Sequence, residues 1–205
     1  IKLETIEILA SFALNEKNHR DEIINQIKDI TNRAMLGEIP FSDALDQRIK
    51  LIQPKPEHID KTIFFLKNKI TNSFNENKKF FKQNYKNCYI ISGGFKEIIK
   101  PIVRDFNILE KQIFANTFLY KNKKIGIDKD NALSKNNGKN LIAKNIDGFN
   151  IIIGDGYTDY EVKKYGNAQK FIQFTENVNR KSLNKKADLI CDDFKIIIDY
   201  INNDI

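Results

Sequence analysis

Two apolar runs, one before and one after the middle of the sequence, end in glycine-rich turns. Tyr89-Ile90-Ile91 leads into Ser92-Gly93-Gly94, and Ile151-Ile152-Ile153 leads into Gly154-Asp155-Gly156-Tyr157-Thr158-Asp159. Ligands of an open parallel sheet bind beyond the C-terminal ends of its strands, so the residues that follow each run are the informative ones. Backbone N–H groups bared by glycine at a helix start suit an anion such as phosphate, although a tight turn explains either segment taken alone. Asp155 and Asp159 lie four apart across a helix start. Two such carboxylates can serve one Mg²⁺ directly and through water, or Asp159 can simply complement the helix dipole. The Asp155-Gly156 step departs from the alternating oxygen ligands of a calcium-binding EF-hand loop.

Three other charged residues stand out. Lys139 opens a helix after Asn136-Asn137-Gly138, where a cation opposes the macrodipole unless a phosphate or a carboxylate lies nearby. A Walker A loop is excluded, because Leu133 stands in place of its first glycine and Asn140 in place of its Ser or Thr. Arg48 falls on one helical stripe with Phe41, Leu45 and Ile52, so its guanidinium either snorkels to solvent or meets an anion. Glu4, in the first turn of the first helix, reads by itself as dipole compensation. His19 and His58 have polar neighbours and read as surface residues, which gives a histidine-based mechanism little support.

The elements that must position these residues fall into two groups. Residues 1 to about 70 read as consecutive helices, with Ile23, Ile24, Ile27, Ile30 and Ala34 on one stripe. The Phe41 stripe is bounded by Gly37 and Pro40 before it and by Pro54 and Pro56 after it. A small helical bundle follows. From about residue 73 the pattern alternates helix and strand, which favours a parallel α/β sheet. Strands are expected at 88–91, 150–153, 171–174 and 189–191, and helices at 95–106, 139–146, 158–164 and 193–202. Phe194, Ile197, Ile198 and Ile201 share one face of the last helix, with Asp192 or Asp193 as its N-cap. Residues 114–128 read as a β-hairpin whose solvated tip holds Lys121, Lys123 and Lys124. No internal repeat is evident.

Composition narrows the class. The 205 residues are 41% hydrophobic and 30% charged, with 15 Phe and 7 Tyr, as in an ordinary globular protein with a substantial core. No apolar run approaches the roughly 20 residues that cross a bilayer, so no membrane partner is expected. The first residues read as an amphipathic helix rather than a secretory signal. The net charge of +7 raises nucleic acid as a partner. The lysines, however, are interleaved with Asn and Glu along helix faces without a recognised motif, so none is expected. Cys88 and Cys191, each inside an apolar run read as a buried strand, suit reduced thiols in the cytoplasm.

The ordered set Tyr89-Ile90-Ile91-Ser92-Gly93-Gly94-Phe95, Lys139 and Gly154-Asp155-Gly156-Tyr157-Thr158-Asp159 resembles the second, third and fourth motifs of haloacid dehalogenase superfamily phosphatases. Each segment alone is weak, whereas their order and spacing together are specific. Within that superfamily the chain is most similar to phosphoserine phosphatase, including Phe114-Ala115-Asn116 and Ala187-Asp188. The resemblance implies an α/β fold: a Rossmann-like three-layer parallel core over residues 71–205, a small helical cap over residues 1–70, and a β-hairpin. It implies that Ser92 and Gly93 hold a phosphoryl oxygen, that Lys139 bridges nucleophile and phosphate, and that Thr158 lies against the substrate. By the same resemblance Asp155 is a Mg²⁺ ligand and Asp159 steadies the metal site and the lysine. In the cap, Glu4 would receive the substrate ammonium and Arg48 its carboxylate, with Met35 and Phe41 closing above.

One part of the pattern has no counterpart. The family's first motif, Asp-x-Asp-x-Thr, provides the nucleophile and the general acid–base, and its expected place is a few residues before Ile1. The expectation is therefore a Mg²⁺-dependent phosphomonoesterase that turns phosphoserine into serine and phosphate, the last step of serine synthesis, through an aspartyl-phosphate. The chain as given is expected to be inactive alone. A phosphatase of the same fold for another small phosphorylated metabolite and a non-catalytic regulatory module are the rivals. Fusion to or association with another enzyme is compatible with either.

Overall fold

The computed structural model describes residues 1–15, 18–121 and 124–204; Lys123, placed at the hairpin tip by its sequence, lies outside the described residues. Four helices come first: α1 (Thr5–Ala13), α2 (Arg20–Leu36), α3 (Phe41–Ile52) and α4 (Pro56–Leu66). The prolines do what their chemistry dictates. Pro56 opens α4 at a position whose N–H would have no helical partner, and Pro40 directly precedes α3. Gly37 ends α2 in the left-handed region, with φ 79°, where a side chain would be strained. Leu9, Ile27, Leu45, Ile49, Ile52, Ile59 and Leu66 bury their apolar stripes together. That cluster continues into Phe95, Ile98, Ile102, Phe118, Ile125 and Ile127, so the helical layer rests on the α/β layer.

Short helices α5 (Asn72–Glu76) and α6 (Lys78–Gln83) lead to β1 (Ile90–Phe95), α7 (Lys96–Ile102) and β2 (Ile113–Asn116). The hairpin strands β3 (Phe118–Lys121) and β4 (Lys124–Ile127) follow, then α8 (Gly138–Ala143), β5 (Ile151–Gly154) and α9 (Tyr157–Lys164). The chain ends with β6 (Lys170–Phe174), β7 (Leu189–Cys191) and α10 (Phe194–Asp204). Among the described residues, β1 and β2 form one parallel pair, and β5, β6 and β7 form a parallel sheet in that order. The pleat sends alternate side chains to opposite layers. Ile152 meets Ala143, Val162 and Ala168, while Ile151 and Ile153 pack on the side of Phe81, Phe194 and Ile197. This is the mixed α/β architecture with parallel strands that the sequence pattern called for. Among the described residues β1 and β5 each keep one ladder edge without a strand partner, and their isoleucines are only partly buried.

Several expected boundaries move, each for a local reason. The first strand was expected at 88–91. It instead begins at Ile90 and runs through Ser92-Gly93-Gly94, absorbing the glycines in a register break between Ser92 and Phe95. Cys88 therefore precedes the strand and is half-buried, whereas Cys191 is buried in β7 as expected; both thiols are free. The helix expected at 95–106 stops at Ile102 and gives way to a 3-10 turn at Arg104–Phe106. The helix expected at 139–146 ends at Ala143. The hairpin expected over 114–128 begins only at Phe118: residues 113–116 pair in parallel with β1, because that alignment buries Ile113, Ala115 and Asn116. Lys121 and Lys124 pair across the hairpin and are exposed. Asp193 rather than Asp192 caps α10, accepting from Lys195 N at 2.7 Å. No helix among the described residues is long and apolar enough to cross a membrane.

Candidate active site

The C-terminal ends of β1 and β5 open on one cavity of about 390 Å³, roofed by α1, α2 and α3. This is where a parallel α/β architecture collects ligands, and the volume suits a small metabolite. Ser92, Gly93, Lys139, Asp155, Thr158 and Asp159 line it from the core, and Glu4, Met35, Phe41 and Arg48 line it from the helices.

The glycine-rich end of β1 is held from behind. Fully buried Asn116 donates through Nδ2 to Gly93 O at 2.9 Å, and the Gly94 N–H donates to Ser92 Oγ at 3.0 Å. The Phe41 ring packs so closely on Gly93 that a β-carbon there would collide with it. Glycine at position 93 is thus what lets α3 close on the end of β1.

Lys139 answers the question its position posed. Its ammonium donates to Asp159 Oδ1 at 2.6 Å, with only 16% and 10% of the two side chains exposed. The other Asp159 oxygen accepts from Gly156 N at 3.1 Å. A β-carbon on Gly154 would overlap the Asp159 carboxylate, so glycine is what lets that carboxylate lie against the strand end. Asp159 thus accepts from the lysine on one oxygen and from a backbone N–H on the other, which fixes its orientation between Lys139 and the end of β5.

Asp155 points into a different charge environment. Arg180 places Nη2 3.5 Å from Asp155 Oδ2 and 3.5 Å from Glu4 Oε1. Burial, and then repulsion from Asp159, raises the Asp155 pKa above the ordinary carboxylate range. Burial, followed by repulsion from Asp155, does the same to Glu4. A carboxyl group in that condition has unmet demand for positive charge. Its hard oxygens fit a cation such as Mg²⁺ as one ligand. Among the described residues no group of three or more His, Cys, Asp or Glu side chains could hold a metal by itself.

Arg48 does not snorkel. It is 4% exposed, with Nε donating to Ala44 O at 3.0 Å and Nη1 donating to Thr31 Oγ1 at 3.1 Å. Burial lowers its pKa to about 10 against the pull of Glu4 and Glu7, so it stays charged at neutral pH. The Met35 sulfur hangs over Gly156, 3.0 Å from where a β-carbon would be. Glu4 sits at the N-cap of α1, before its first turn, and makes no side-chain capping bond. Its Arg180 contact and place in the cavity lining replace the dipole reading. His19 is exposed, and the half-buried His58 accepts from Lys55 N at 3.1 Å to cap α4; neither is among the residues lining the cavity.

Arg180 and Asn116 were not assigned roles from the sequence. Arg180 follows the end of β6, so the strand-end rule that found Asp155 pointed to it as well. Asn116 had only its place in a recognised segment as a signal.

No protein-family model matches the chain. It is 31% identical over 175 residues to the phosphoserine phosphatase of Homo sapiens, covering 82% of this chain and 77% of that protein. It is 29% identical over 183 residues to the chloroplastic phosphoserine phosphatase of Arabidopsis thaliana, covering 86% of this chain and 62% of that one. The chain thus spans somewhat less than two thirds of the plant protein. A solved structure of a phosphoserine phosphohydrolase-like protein from Francisella tularensis superposes with a TM-score of 0.84 at 27% identity, covering 98% of this chain and 94% of that one.

Proposed function

Since this chain belongs to the phosphoserine phosphatase family, we propose that it forms the substrate-holding part of an enzyme that hydrolyses phosphoserine to serine and phosphate. The observation that carries the reading is the division of charge around one cavity. Lys139 and the Ser92–Gly93 turn lie on the core side, while Arg48 and Glu4 lie on the helical side. A phosphorylated amino acid carries a phosphate at one end and an ammonium and a carboxylate at the other.

In this reading the Ser92 hydroxyl and the Gly93 N–H donate to phosphoryl oxygens. Lys139, steadied by Asp159, neutralises charge that develops there, which is the main demand of phosphoryl transfer. Arg48 takes the carboxylate and Glu4 the ammonium. Met35, Phe41 and Thr158 complete the wall and limit water. Mg²⁺, with Asp155 as one ligand, would supply Lewis-acid stabilisation of the phosphoryl group. An Asp-x-Asp-x-Thr segment would supply the nucleophilic carboxylate, whose attack on phosphorus breaks the P–O bond to serine while the second Asp protonates the leaving oxygen; water then opens the aspartyl-phosphate and releases phosphate. Among the described residues β1 and β5 each keep one ladder edge without a strand partner, and such edges are suited to a further parallel strand carrying that segment. The 205 residues by themselves are expected to bind but not to turn over.

The test is phosphate release from phosphoserine and from an aryl phosphate, by the 205-residue chain and by a chain that also carries the segment. Turnover that requires the segment and prefers phosphoserine supports the reading. Preference for another phosphate ester refutes the substrate, and full turnover by the 205 residues refutes the assignment of the nucleophile.

A further inference from the structure

Helix α3 carries both Phe41 and Arg48 to the cavity, yet it starts without a cap of its own. Pro40 occupies its N-cap position and has no side-chain acceptor for the N–H groups of the first turn. The acceptor comes instead from the core, 94 residues away in sequence. Asn136 Oδ1 accepts from the Ser42 backbone N–H at 3.1 Å and from the Ser42 hydroxyl at 3.1 Å. We propose that Asn136 is a positioning residue that latches the helical layer shut, capping α3 across the cleft and thereby holding Phe41 on Gly93.

The acceptor is preset on the core side. The Asn131 side chain accepts from Leu133 N at 2.9 Å, and Ser134 Oγ donates back to Asn131 O at 2.8 Å. Gly138 then lies so close to Ala132 O that a β-carbon would not fit. Asn136 therefore projects from a braced loop, three residues before Lys139. On the cap side the bond exists only while α3 is docked. Moving α3 away breaks the Ser42 contacts and leaves a first-turn N–H to water, and Phe41 leaves Gly93 in the same motion. A second polar tie from α3 among the described residues, Asp46 with Lys129, is a surface ion pair, of the kind that salt screens and that holds geometry weakly. A neutral cap bond is directional and insensitive to salt, so it suits setting where α3 comes to rest.

Removing an N-cap side chain shifts such an equilibrium about fivefold. The measurement is amide hydrogen exchange on the 205-residue protein without substrate, so its outcome is independent of the phosphatase reading. In Asn136→Ala the Ser42 amide should exchange about fivefold faster, while the interior of α2 keeps its protection. Asn136→Asp should restore slow exchange, because a carboxylate caps as well as an amide. Ser42→Ala should keep most of the protection, because the backbone bond remains. Unchanged exchange at residue 42 in Asn136→Ala would overturn the proposal. So would a rise spread over the whole chain, or failure of Asn136→Asp to restore protection.

Discussion

Replacing Asp159 by Asn removes the charge that Lys139 holds at 2.6 Å, in a pair whose side chains are 16% and 10% exposed. Breaking one side of a buried pair costs about 3–5 kcal/mol, because the partner is left charged and desolvated. Two features favour the lower end. Part of the Lys139 side chain still reaches solvent, and loss of the Asp159 charge relieves the repulsion that raises the pKa of Asp155. The amide oxygen can continue to accept from Gly156 N, so that bond need not be lost. We therefore expect a cost of about 3 kcal/mol, and in a chain of this length a fall in Tm of about 6–12 °C. Asp159→Ala should cost about 1 kcal/mol more, since the Gly156 N–H loses its acceptor as well. The double variant Lys139→Met/Asp159→Asn should recover most of the loss, because no charge is left stranded. Thermal denaturation followed by circular dichroism on the 205-residue chain measures wild type, these variants and the single Lys139→Met that closes the cycle. A Tm unchanged in Asp159→Asn, or losses that simply add in the double variant, would refute the claim that the two residues act as one buried unit.

The other site residues give equally direct expectations. Arg48→Ala, in a chain that carries the Asp-x-Asp-x-Thr segment, should forfeit charge-assisted bonds worth about 1.5–3 kcal/mol, or roughly ten- to a hundredfold in kcat/KM for phosphoserine. Hydrolysis of an aryl phosphate should fall much less, and equal losses would show that Arg48 supports packing alone. Gly93→Ala should destabilise by about 1–3 kcal/mol through collision with the Phe41 ring, and Phe41→Leu in the same chain should relieve it; a double-mutant cycle in thermal melts tests the coupling. Asp155→Asn concerns an acid whose folded-state pKa is raised. Such a group contributes stability below its unfolded pKa and loses it as pH rises through the folded-state value. Without metal, the variant should therefore melt higher than wild type at neutral pH, and the advantage should vanish in acid. Added Mg²⁺ should raise Tm in wild type more than in the variant; an equal rise in both would exclude Asp155 as a ligand.

Some of this protein could be read from order along the chain, because the relevant physics is local. Apolar runs followed by glycine turns located β1 and β5 and, with them, Ser92, Gly93, Asp155 and Asp159, since strand ends and helix starts are specified by neighbours only a few residues away. The helical stripe that holds Leu45, Arg48 and Ile52 placed a guanidinium on a buried face for the same reason. The awkward position of Lys139 at a helix start left open an exposed lysine at a small dipole cost or a nearby anion. Its identity was a tertiary matter, and the close approach that Gly154 permits made it Asp159. Residues 113–116 alternate in a way that suits either a hairpin or a parallel partner, and only burial against β1 chose the parallel one. Arg180 reaches Glu4 across 176 residues, Asn116 reaches Gly93, and Asn136 caps a helix that lacks its own acceptor. Periodicity carries no record of such pairs, because each member is locally unremarkable and the bond between them exists only once segments distant in sequence have packed together.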